Sequence, residues 1–396
     1  MGYNIWGDCP ARPLPELLSF IVDNRGKTVP TSDSGRVLIA TNCIRNETLY
    51  PAYEKIRFLS EETYQTWFRA HPMPGDILFV CKGTPGRVCM VPDPIDFCIA
   101  QDMVALRVNS SVLYNRYLLA VLRSRTIQKQ IESTSVGDVI PHFKKSFFDQ
   151  IMIPVPPMEI QRLIGDYYFS FSNKIETNKV ITSNLEQMAQ AIFKSWFVDF
   201  EPFGGMMPDD WREGTLSDIA TITMGQSPNG ASYNEESIGT VFYQGRAEFG
   251  SRFPTRRLFT TQPKRMAEKG DVLMSVRAPV GDLNVAFESC CLGRGLAGIQ
   301  SNSGCQSFVL YTMFALKQQL EIFNGEGTVF GSINKNDMAN LPVLIPSNEV
   351  LRQFEELVSP MDATIEANYA ESCNLQATRD SLLPRLMSGE LSVADH

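Results

Sequence analysis

The chain has 396 residues, of which 43% are hydrophobic and 20% are charged, and its formal net charge is −8. This length predicts two or three domains, and the composition is that of an ordinary soluble protein without a membrane-spanning segment. The acidic balance argues against a protein that simply coats DNA, although it leaves room for a local positive face on an acidic molecule.

The first part of the chain predicts a domain of buried strands that ends in a long helix. Apolar runs from Gly35, Gly75 and Phe97 predict strands, and a 3.6-residue period from Leu113 predicts an amphipathic helix. The strand IMIPVPP from Ile151 ends in prolines, which stop sheet pairing. A narrow apolar stripe then runs through residues 159–200, and a helix with so narrow a stripe needs a partner helix.

The second part of the chain repeats the first. GDILFVCKGTPG from Gly75 recurs as GDVLMSVRAPVG from Gly270, and DQIMIPVPPMEIQRLI from Asp149 recurs as ANLPVLIPSNEVLRQF from Ala339. A repeat of this length indicates two copies of one domain, an arrangement that suits a bipartite ligand such as DNA. The closing helical stretch contains Ser359 and Pro360, which predict a break into a short and a long helix.

These patterns predict a mixed α/β protein with two globular domains separated by two long antiparallel helices, related by an internal pseudo-two-fold repeat. The alternative is that each long helix packs only on its own domain. The predicted parts are a first domain at 1–157, a central helix at 158–200, a second domain at 201–347 with a linker at 201–210, and a C-terminal helix at 348–396. The apolar residues predicted to pair the helices or dock partner subunits are Ile164, Phe171, Leu185, Ile192, Trp196, Phe354, Leu375, Leu382 and Leu386.

Motifs for catalysis or metal binding are not found in the sequence. The nine cysteines form no CxxC pair and the three histidines have no ligand spacing, so we expect no metal site, reduced cysteines and a cytoplasmic protein. There is no phosphate-binding GxxxxGK[ST] loop and no GxSxG elbow. The glycines of LGRGLAGI from Leu292 are interpreted as close-packing strand glycines rather than a dinucleotide loop.

Polar loops that follow the repeated strands are the best candidates for DNA contacts. They place cations beside small residues, where the backbone can approach a phosphate, and His142, Lys144 and Lys145 occupy the place of Ser332, Asn334 and Lys335 in the second copy. The alternative for each residue is an ordinary solvated side chain. The candidate DNA-binding residues are Arg25, Lys27, Lys82, Thr84, Arg87, Lys144, Lys145, Gln226, Arg246, Arg252, Arg256, Arg257, Arg277 and Lys335.

Over essentially its whole length, the chain resembles the specificity subunit of type I restriction-modification systems. The resemblance rests on IVDNRGKTVP from Ile21, GDILFVCKGTPG and IPVPPMEIQRLIG, and most specifically on LEQMAQAIFKSWFVDFEPF from Leu185 and RDSLLPRLMSGEL from Arg379. Only MGQSPNG from Met224 corresponds to the opening motif in the second copy, which leaves the bases that are read open.

The resemblance implies a non-catalytic subunit that recognises double-stranded DNA. Two recognition domains, about residues 10–155 and 208–346, would each read one half of an asymmetric split target. The helices would set the gap and dock two methyltransferase subunits, which bind S-adenosylmethionine. Two restriction subunits would use ATP and Mg, so this chain itself would carry no cofactor.

Two other classes of function remain open at this point. A methyltransferase fused to its own recognition domain needs a glycine-rich cofactor loop and an Asn/Asp-Pro-Pro-aromatic pocket, but Val155 precedes and Met158 follows the paired prolines. A structural protein that bridges subunits through its two helices, without DNA, is the third possibility.

Overall fold

The computed structural model describes residues 5–24, 26–135, 137, 141–324 and 331–391. The chain divides into two compact units. Unit 1 consists of Met1–Lys179 and Glu371–His396, and unit 2 consists of Val180–Ala370. Each unit therefore contains part of both long helices in addition to its strands.

Unit 1 is built from short, mostly buried strands and a few helices. Its elements before the first long helix are α1 (Ile5–Asp8), β1 (Ala11–Pro13), β2 (Leu18–Asp23), β3 (Arg36–Ile39), β4 (Arg57–Leu59), α2 (Glu61–Thr66), β5 (Ile77–Val80), β6 (Val88–Met90), β7 (Phe97–Ile99), β8 (Met103–Val108), α3 (Asn115–Arg123), α4 (Arg125–Thr134) and β9 (Met152–Pro154). The order β2-β8-β5-β6 forms an antiparallel sheet. A second sheet has the order β4-β3-β7, in which β3 and β7 run parallel.

Unit 2 repeats this topology. The elements that follow β9 are α5 (Met158–Phe197), β10 (Arg212–Thr215), α6 (Leu216–Ile219), β11 (Ala220–Met224), β12 (Tyr233–Asn234), β13 (Thr240–Tyr243), β14 (Phe259–Thr260), β15 (Met266–Ala267), β16 (Val272–Ser275), β17 (Leu283–Val285), β18 (Cys290–Leu292), β19 (Leu296–Ser301), α7 (Gln306–Ala315), α8 (Lys317–Glu321), α9 (Lys335–Ala339), β20 (Pro342–Ile345) and α10 (Asn348–Met387).

The sheets of the two units share a common set of strands. β11-β19-β16-β17 matches the antiparallel sheet of unit 1, and β13 runs parallel to β18 as β3 does to β7. Unit 2 differs in adding β12 and β15 to its second sheet, whereas unit 1 has α2 in the stretch that corresponds to β15. The predicted duplication and the mixed α/β class are therefore confirmed.

In unit 1 the two long helices pair in antiparallel fashion. The Asn178 side-chain amide donates to Glu371 at 2.8 Å, and Arg379 donates to the hydroxyl of Ser172 at 3.2 Å, so residue numbers rise along α5 as they fall along α10. Ile164 is buried in the core of unit 1. Phe171, Leu382 and Leu386 line one shallow groove with it, and Leu375 is half-buried.

In unit 2 aromatic rings join the same two helices. Phe354 of α10 is fully buried, and its ring centroid lies 6.0 Å from Trp196 and 5.1 Å from Phe197 of α5. Leu185 and Ile192 pack against the same core. The prediction that the helices pair is confirmed within each unit. The helices also pack on the strands and short helices of each unit. The alternative, that each helix packs only on its own domain, therefore names contacts that exist in addition to the helix pairing.

The predicted break at Ser359 and Pro360 is wrong. Helix α10 continues through both residues as one helix of 40 residues. Val358 and Ile365, on either side of the proline, are fully buried in the core of unit 2. This packing holds the helix across the hydrogen bond that the proline nitrogen cannot make.

Candidate nucleic-acid interface

The ends of three strands and one further loop meet at one edge of unit 1. Asp23 at the end of β2 lies opposite Val104, and Val80 at the end of β5 lies opposite Met103. The segment around His142, which precedes β9, joins them, because Lys82 forms a β-bridge with His142. We call residues 23–24, 26–27, 81–87, 100–102 and 141–145 the strand-end loops of unit 1.

The same arrangement occurs in unit 2. Met224 at the end of β11 lies opposite Ala297, and Ser275 at the end of β16 lies opposite Leu296. Arg277 forms a β-bridge with Ser332, as Lys82 does with His142. We call residues 225–229, 276–282, 293–295 and 331–335 the strand-end loops of unit 2. The predicted equivalence of the His142 and Ser332 segments is confirmed.

Backbone hydrogen bonds hold these loops in matching positions. In unit 1, Gly83 donates to the Pro141 carbonyl at 2.9 Å; in unit 2, Ala278 donates to the Gly331 carbonyl at 3.0 Å. Gly86 and Gly281 adopt φ angles of +88° and +92°, which other residues rarely adopt, so the tight turn after each repeated strand requires glycine. The backbone is thus a common frame, while the side chains on it differ between the units.

The strand-end loops of unit 1 carry an excess of positive charge. Lys27, Lys82, Thr84, Arg87 and Lys144 are exposed. Within the described part of the chain, none of their four cations forms an ion pair with a carboxylate. Lys145 is also exposed but pairs with Asp23. Arg25 lies outside the described residues, so its predicted role stays a prediction.

In unit 2 the strand-end loops present Gln226, Arg277 and Lys335, all exposed. Among the described residues, Arg277 and Lys335 likewise have no carboxylate partner. Lys335 is the first residue of α9, whose N-cap is Asn334. These side chains can donate hydrogen bonds to phosphates or to the edges of bases.

Arg294 is a candidate that the sequence did not predict. It is exposed, and its backbone nitrogen donates to the Ser227 hydroxyl at 3.3 Å, which places it in the strand-end loops of unit 2. The flanking Gly293 packs so closely that a Cβ there would lie 2.7 Å from the Cα of Gln244. The interpretation of these glycines as close-packing residues is supported. The internal repeat contained a signal, since Arg294 corresponds to the polar Gln101 that precedes β8.

Other cations of unit 2 are neutralised by carboxylates. Arg246 pairs with Asp282 and Arg256 pairs with Glu288. Arg257 pairs with Glu248, whose side chain is 2% exposed, and lies 3.7 Å from Glu235. Each of these three predicted DNA contacts therefore lies beside a carboxylate, and Asp282 and Glu288 come from positions 36 and 32 residues away in the chain.

The prediction that Arg252 contacts DNA is wrong. Its side chain is 4% exposed and pairs with Asp362 of α10, while Nη1 lies 3.8 Å from a carboxylate oxygen of Glu186 of α5. A guanidinium enclosed in this way has no access to DNA. The sequence showed a run of cations but not which of them the long helices cover.

The described residues contain no group of three or more His, Cys, Asp and Glu side chains that could hold a metal ion. Burial raises the pKa of the Cys81 and Cys290 thiols to about 12, which keeps both protonated and unreactive at neutral pH. In the part of the chain that the structure describes, no helix is long and apolar enough to cross a membrane.

Two stretches of the chain, 30–187 and 208–372, match the family model of the type I restriction modification DNA specificity domain. The MjaX type I restriction enzyme specificity subunit of Methanocaldococcus jannaschii is 32% identical over 81% of this chain and 79% of its own length. The HindI specificity subunit of Haemophilus influenzae is 21% identical over 80% of this chain and 86% of its own. The crystal structure of a type I restriction-modification S subunit from M. genitalium shares the fold, with a TM-score of 0.65, 17% identity and 96% coverage of both chains.

Proposed function

We infer the function from the family to which this chain belongs, the DNA specificity subunits of type I restriction-modification systems. The chain is the DNA sequence-recognition subunit of such a system and is not itself an enzyme. The two matches to the specificity domain correspond to the internal repeat.

We propose that the strand-end loops of each unit read one half of a bipartite, asymmetric DNA target. One observation carries this proposal: the same loops, held by equivalent β-bridges, carry different side chains in the two units. Lys82 and His142 in unit 1 stand where Arg277 and Ser332 stand in unit 2. One backbone frame with two sets of polar side chains suits the recognition of two unlike half-sites.

The chemistry of these side chains supports a division of roles. Lys82, Arg87 and Lys144 suit phosphate contacts, which position the protein without reading sequence. Arg277 and Arg294 can each donate two hydrogen bonds to guanine O6 and N7, and Gln226 can pair with the N6 and N7 edge of adenine. Arg87 in unit 1 can also donate to guanine, and Lys335 in unit 2 can also contact a phosphate, so the proposed assignment is one of mixed phosphate and base contacts at both loop sets.

The proposed partners are two methyltransferase subunits, and two restriction subunits where the system includes them. Three exposed apolar side chains of α5 in unit 2, Val180, Ile181 and Met188, lie within about two helical turns of one another and support docking of protein subunits along this helix. We propose that S-adenosylmethionine, ATP and Mg bind to those partners and not to this chain. We further propose that the complex works in the cytoplasm, where its DNA is, and all nine cysteines of this chain are free thiols in keeping with that compartment.

Substitution of one loop cation in each unit tests the assignment. Arg277→Ala is expected to lower methylation of the wild-type target by about tenfold to a hundredfold and to relax one position of one half-site, since a bidentate base contact is worth about 1–3 kcal/mol. Lys82→Ala is expected to weaken binding to all sequences alike and to reduce the salt-dependence slope by about 1. Methylated sites are mapped by sequencing DNA exposed to the complex with its methyltransferase subunits.

Arg256→Ala is the matched control. It removes an exposed guanidinium that already pairs with Glu288, so methylation should stay near the wild-type level. The loop assignment is refuted if Arg277→Ala and Lys82→Ala also leave both half-sites and the salt dependence unchanged. Methyl transfer by the isolated chain, or a complex without any sequence preference, would contradict the proposed function itself.

A further inference from the structure

Arg252 joins a loop of the second recognition domain to both long helices. It lies between β13 and β14, and its guanidinium pairs with Asp362 of α10 and approaches Glu186 of α5 to 3.8 Å. The Tyr311 hydroxyl donates to the same Asp362 carboxylate at 2.9 Å, and the Tyr311 ring centroid lies 5.7 Å from the guanidinium carbon. We call Arg252, Glu186, Asp362 and Tyr311 the helix-junction cluster.

The residues that follow Arg252 extend the contact along α10. The Phe253 ring is buried, with its centroid 4.9 Å from that of Tyr369. The Tyr369 hydroxyl donates to the Pro254 carbonyl at 3.3 Å. The loop is therefore held at Asp362 and again two helical turns later at Tyr369, which fixes both its position and its direction along the helix.

At the corresponding loop position unit 1 has a leucine, and the arginine near this junction, Arg123, comes from α3 and donates to the Val88 carbonyl at 2.8 Å. The Met90 nitrogen donates to the Leu49 carbonyl in unit 1 as the Val285 nitrogen donates to the Arg252 carbonyl in unit 2, so Leu49 and Arg252 hold corresponding positions. Leu49 is buried and apolar, and its backbone nitrogen donates to Glu176 of α5 at 3.2 Å. The fold therefore does not require a buried arginine at this position.

A buried ion cluster differs from an apolar contact in its tolerance to sliding. Apolar side chains can shift along a helix and repack, whereas a buried guanidinium displaced by one residue along the helices, about 1.5 Å, moves away from its carboxylate partners and is left without a matching charge. An arginine that meets one carboxylate from each helix therefore selects one placement of the loop on the helix pair.

We propose that Arg252 is a positioning residue that fixes the second recognition domain on the helix pair and thereby sets the spacer length of the target. This inference rests on the proposed function. Spacer selectivity follows because neighbouring spacer lengths differ by about 3.4 Å along DNA, a distance that a domain held rigidly on the helices cannot absorb. Arg252 itself makes no contact with DNA in this role.

The test replaces Arg252 by leucine, the residue that unit 1 has at the corresponding position, Leu49. The complex containing Arg252→Leu is assayed for methylation on DNAs that keep both half-sites and vary the spacer by single base pairs. We expect both half-sites to be retained. The ratio of methylation at the wild-type spacer to that at spacers one base pair longer or shorter should fall at least about tenfold. The reason is that leucine no longer holds the loop at a single position along the helices, where one residue corresponds to about 1.5 Å. Arg252→Lys should restore part of this ratio, because an ammonium can still reach one carboxylate.

Two further variants keep the result interpretable. Arg256→Leu removes an exposed guanidinium four residues away and should leave spacer selectivity unchanged. If Arg252→Leu does not fold, the triple variant Arg252→Leu, Glu186→Gln, Asp362→Asn removes the stranded carboxylates and is assayed instead. A folded variant with wild-type spacer selectivity overturns the positioning role. A wild-type complex with no bipartite target overturns the proposed function, so the two failures are distinct.

Discussion

Burial divides the arginines of unit 2 into groups with different consequences for the protein. Arg252 is enclosed by carboxylates, and removing one partner of such a buried pair typically costs about 3–5 kcal/mol. The Arg256–Glu288 pair is exposed on both sides and contributes about 0–1 kcal/mol. Arg277 and Arg294 are exposed in the strand-end loops, where they can meet DNA. Arginines of identical charge thus lie in three environments: buried against the long helices, paired with a carboxylate at the surface, and exposed in the strand-end loops.

The protonation of Glu186 makes the stability of the protein depend on pH, which can be tested. Burial raises the pKa of Glu186 above its ordinary value of 4.5, and the attraction of Arg252 only partly opposes this. The folded state therefore binds this proton more tightly than the unfolded state. The stability that this group contributes is present below pH 4.5 and is lost as the pH rises through the raised pKa.

Glu186→Gln is accordingly expected to remove this pH-dependent loss and to leave stability at pH 7 within about 1 kcal/mol of wild type. Asp362→Asn should lose about 3 kcal/mol, because Asp362 is the nearer partner of Arg252 and the acceptor of the Tyr311 hydroxyl. Urea denaturation at pH 5 and pH 8 measures both variants. Equal losses for the two variants at pH 7 would contradict this ranking.

At the scale of elements, the helices α3 and α5 pack with their backbones in close contact. The side chain of Gln161 on α5 accepts a hydrogen bond from the Tyr114 nitrogen at 2.8 Å and so caps the start of α3. Asp166 accepts from Tyr114 and Arg116, both at 2.7 Å. Between these contacts lies Gly165, where a Cβ would stand 2.6 Å from the Tyr117 nitrogen.

Gly165→Ala is expected to lower the stability of the protein by about 2 kcal/mol, since the added methyl group forces the two helices apart. This loss should appear even though alanine favours an isolated helix over glycine by about 1 kcal/mol. Ser170→Ala, at an exposed position on the same helix, is the control and should be close to neutral. A rise in the denaturation midpoint of Gly165→Ala would show that the helices can separate without loss.

The elements also differ in how well the sequence predicted them. The long helices and the strands from Gly75 and Gly270 were predicted, because periodicity over many residues and apolar runs are local signals. The strands β12, β14 and β15 were not predicted, because two residues are too few to show a pattern and their extended form depends on neighbouring strands. Pro360 misled the prediction for α10, since a local break signal was overridden by packing on both sides.

At the scale of the whole molecule, each unit is completed by chain segments from distant parts of the sequence. Met387, near the end of α10, is 1% exposed in the core of unit 1, together with Ile5 and Leu14. The helix α5 passes from unit 1 into unit 2 after Lys179, and α10 passes from unit 2 into unit 1 after Ala370. The two helices therefore carry the connection between the recognition domains.

Lengthening both helices at these two points tests the proposal that they set the spacer. A heptad inserted after Lys179 and another after Ala370 keep the helix faces nearly in register and add about 10 Å, which corresponds to about three base pairs. Methylation mapping should show both half-sites unchanged and a spacer longer by that amount. A heptad in α5 alone shifts Asn178 away from Glu371 and should abolish methylation. An unchanged spacer with both insertions would refute the proposal that the two helices set the spacer length.

The sequence by itself determined the duplication, the two long helices, the family resemblance and the loops in which Lys82 and Arg277 lie. Each of these is encoded in the order and spacing of residues that are close together in the chain. Only the tertiary structure decided that Arg252 is buried, that Arg256 and Arg257 are neutralised, and that Arg294 joins the strand-end loops. The reason is physical: burial and charge pairing depend on which distant segments meet, and Asp362 reaches Arg252 from 110 residues away.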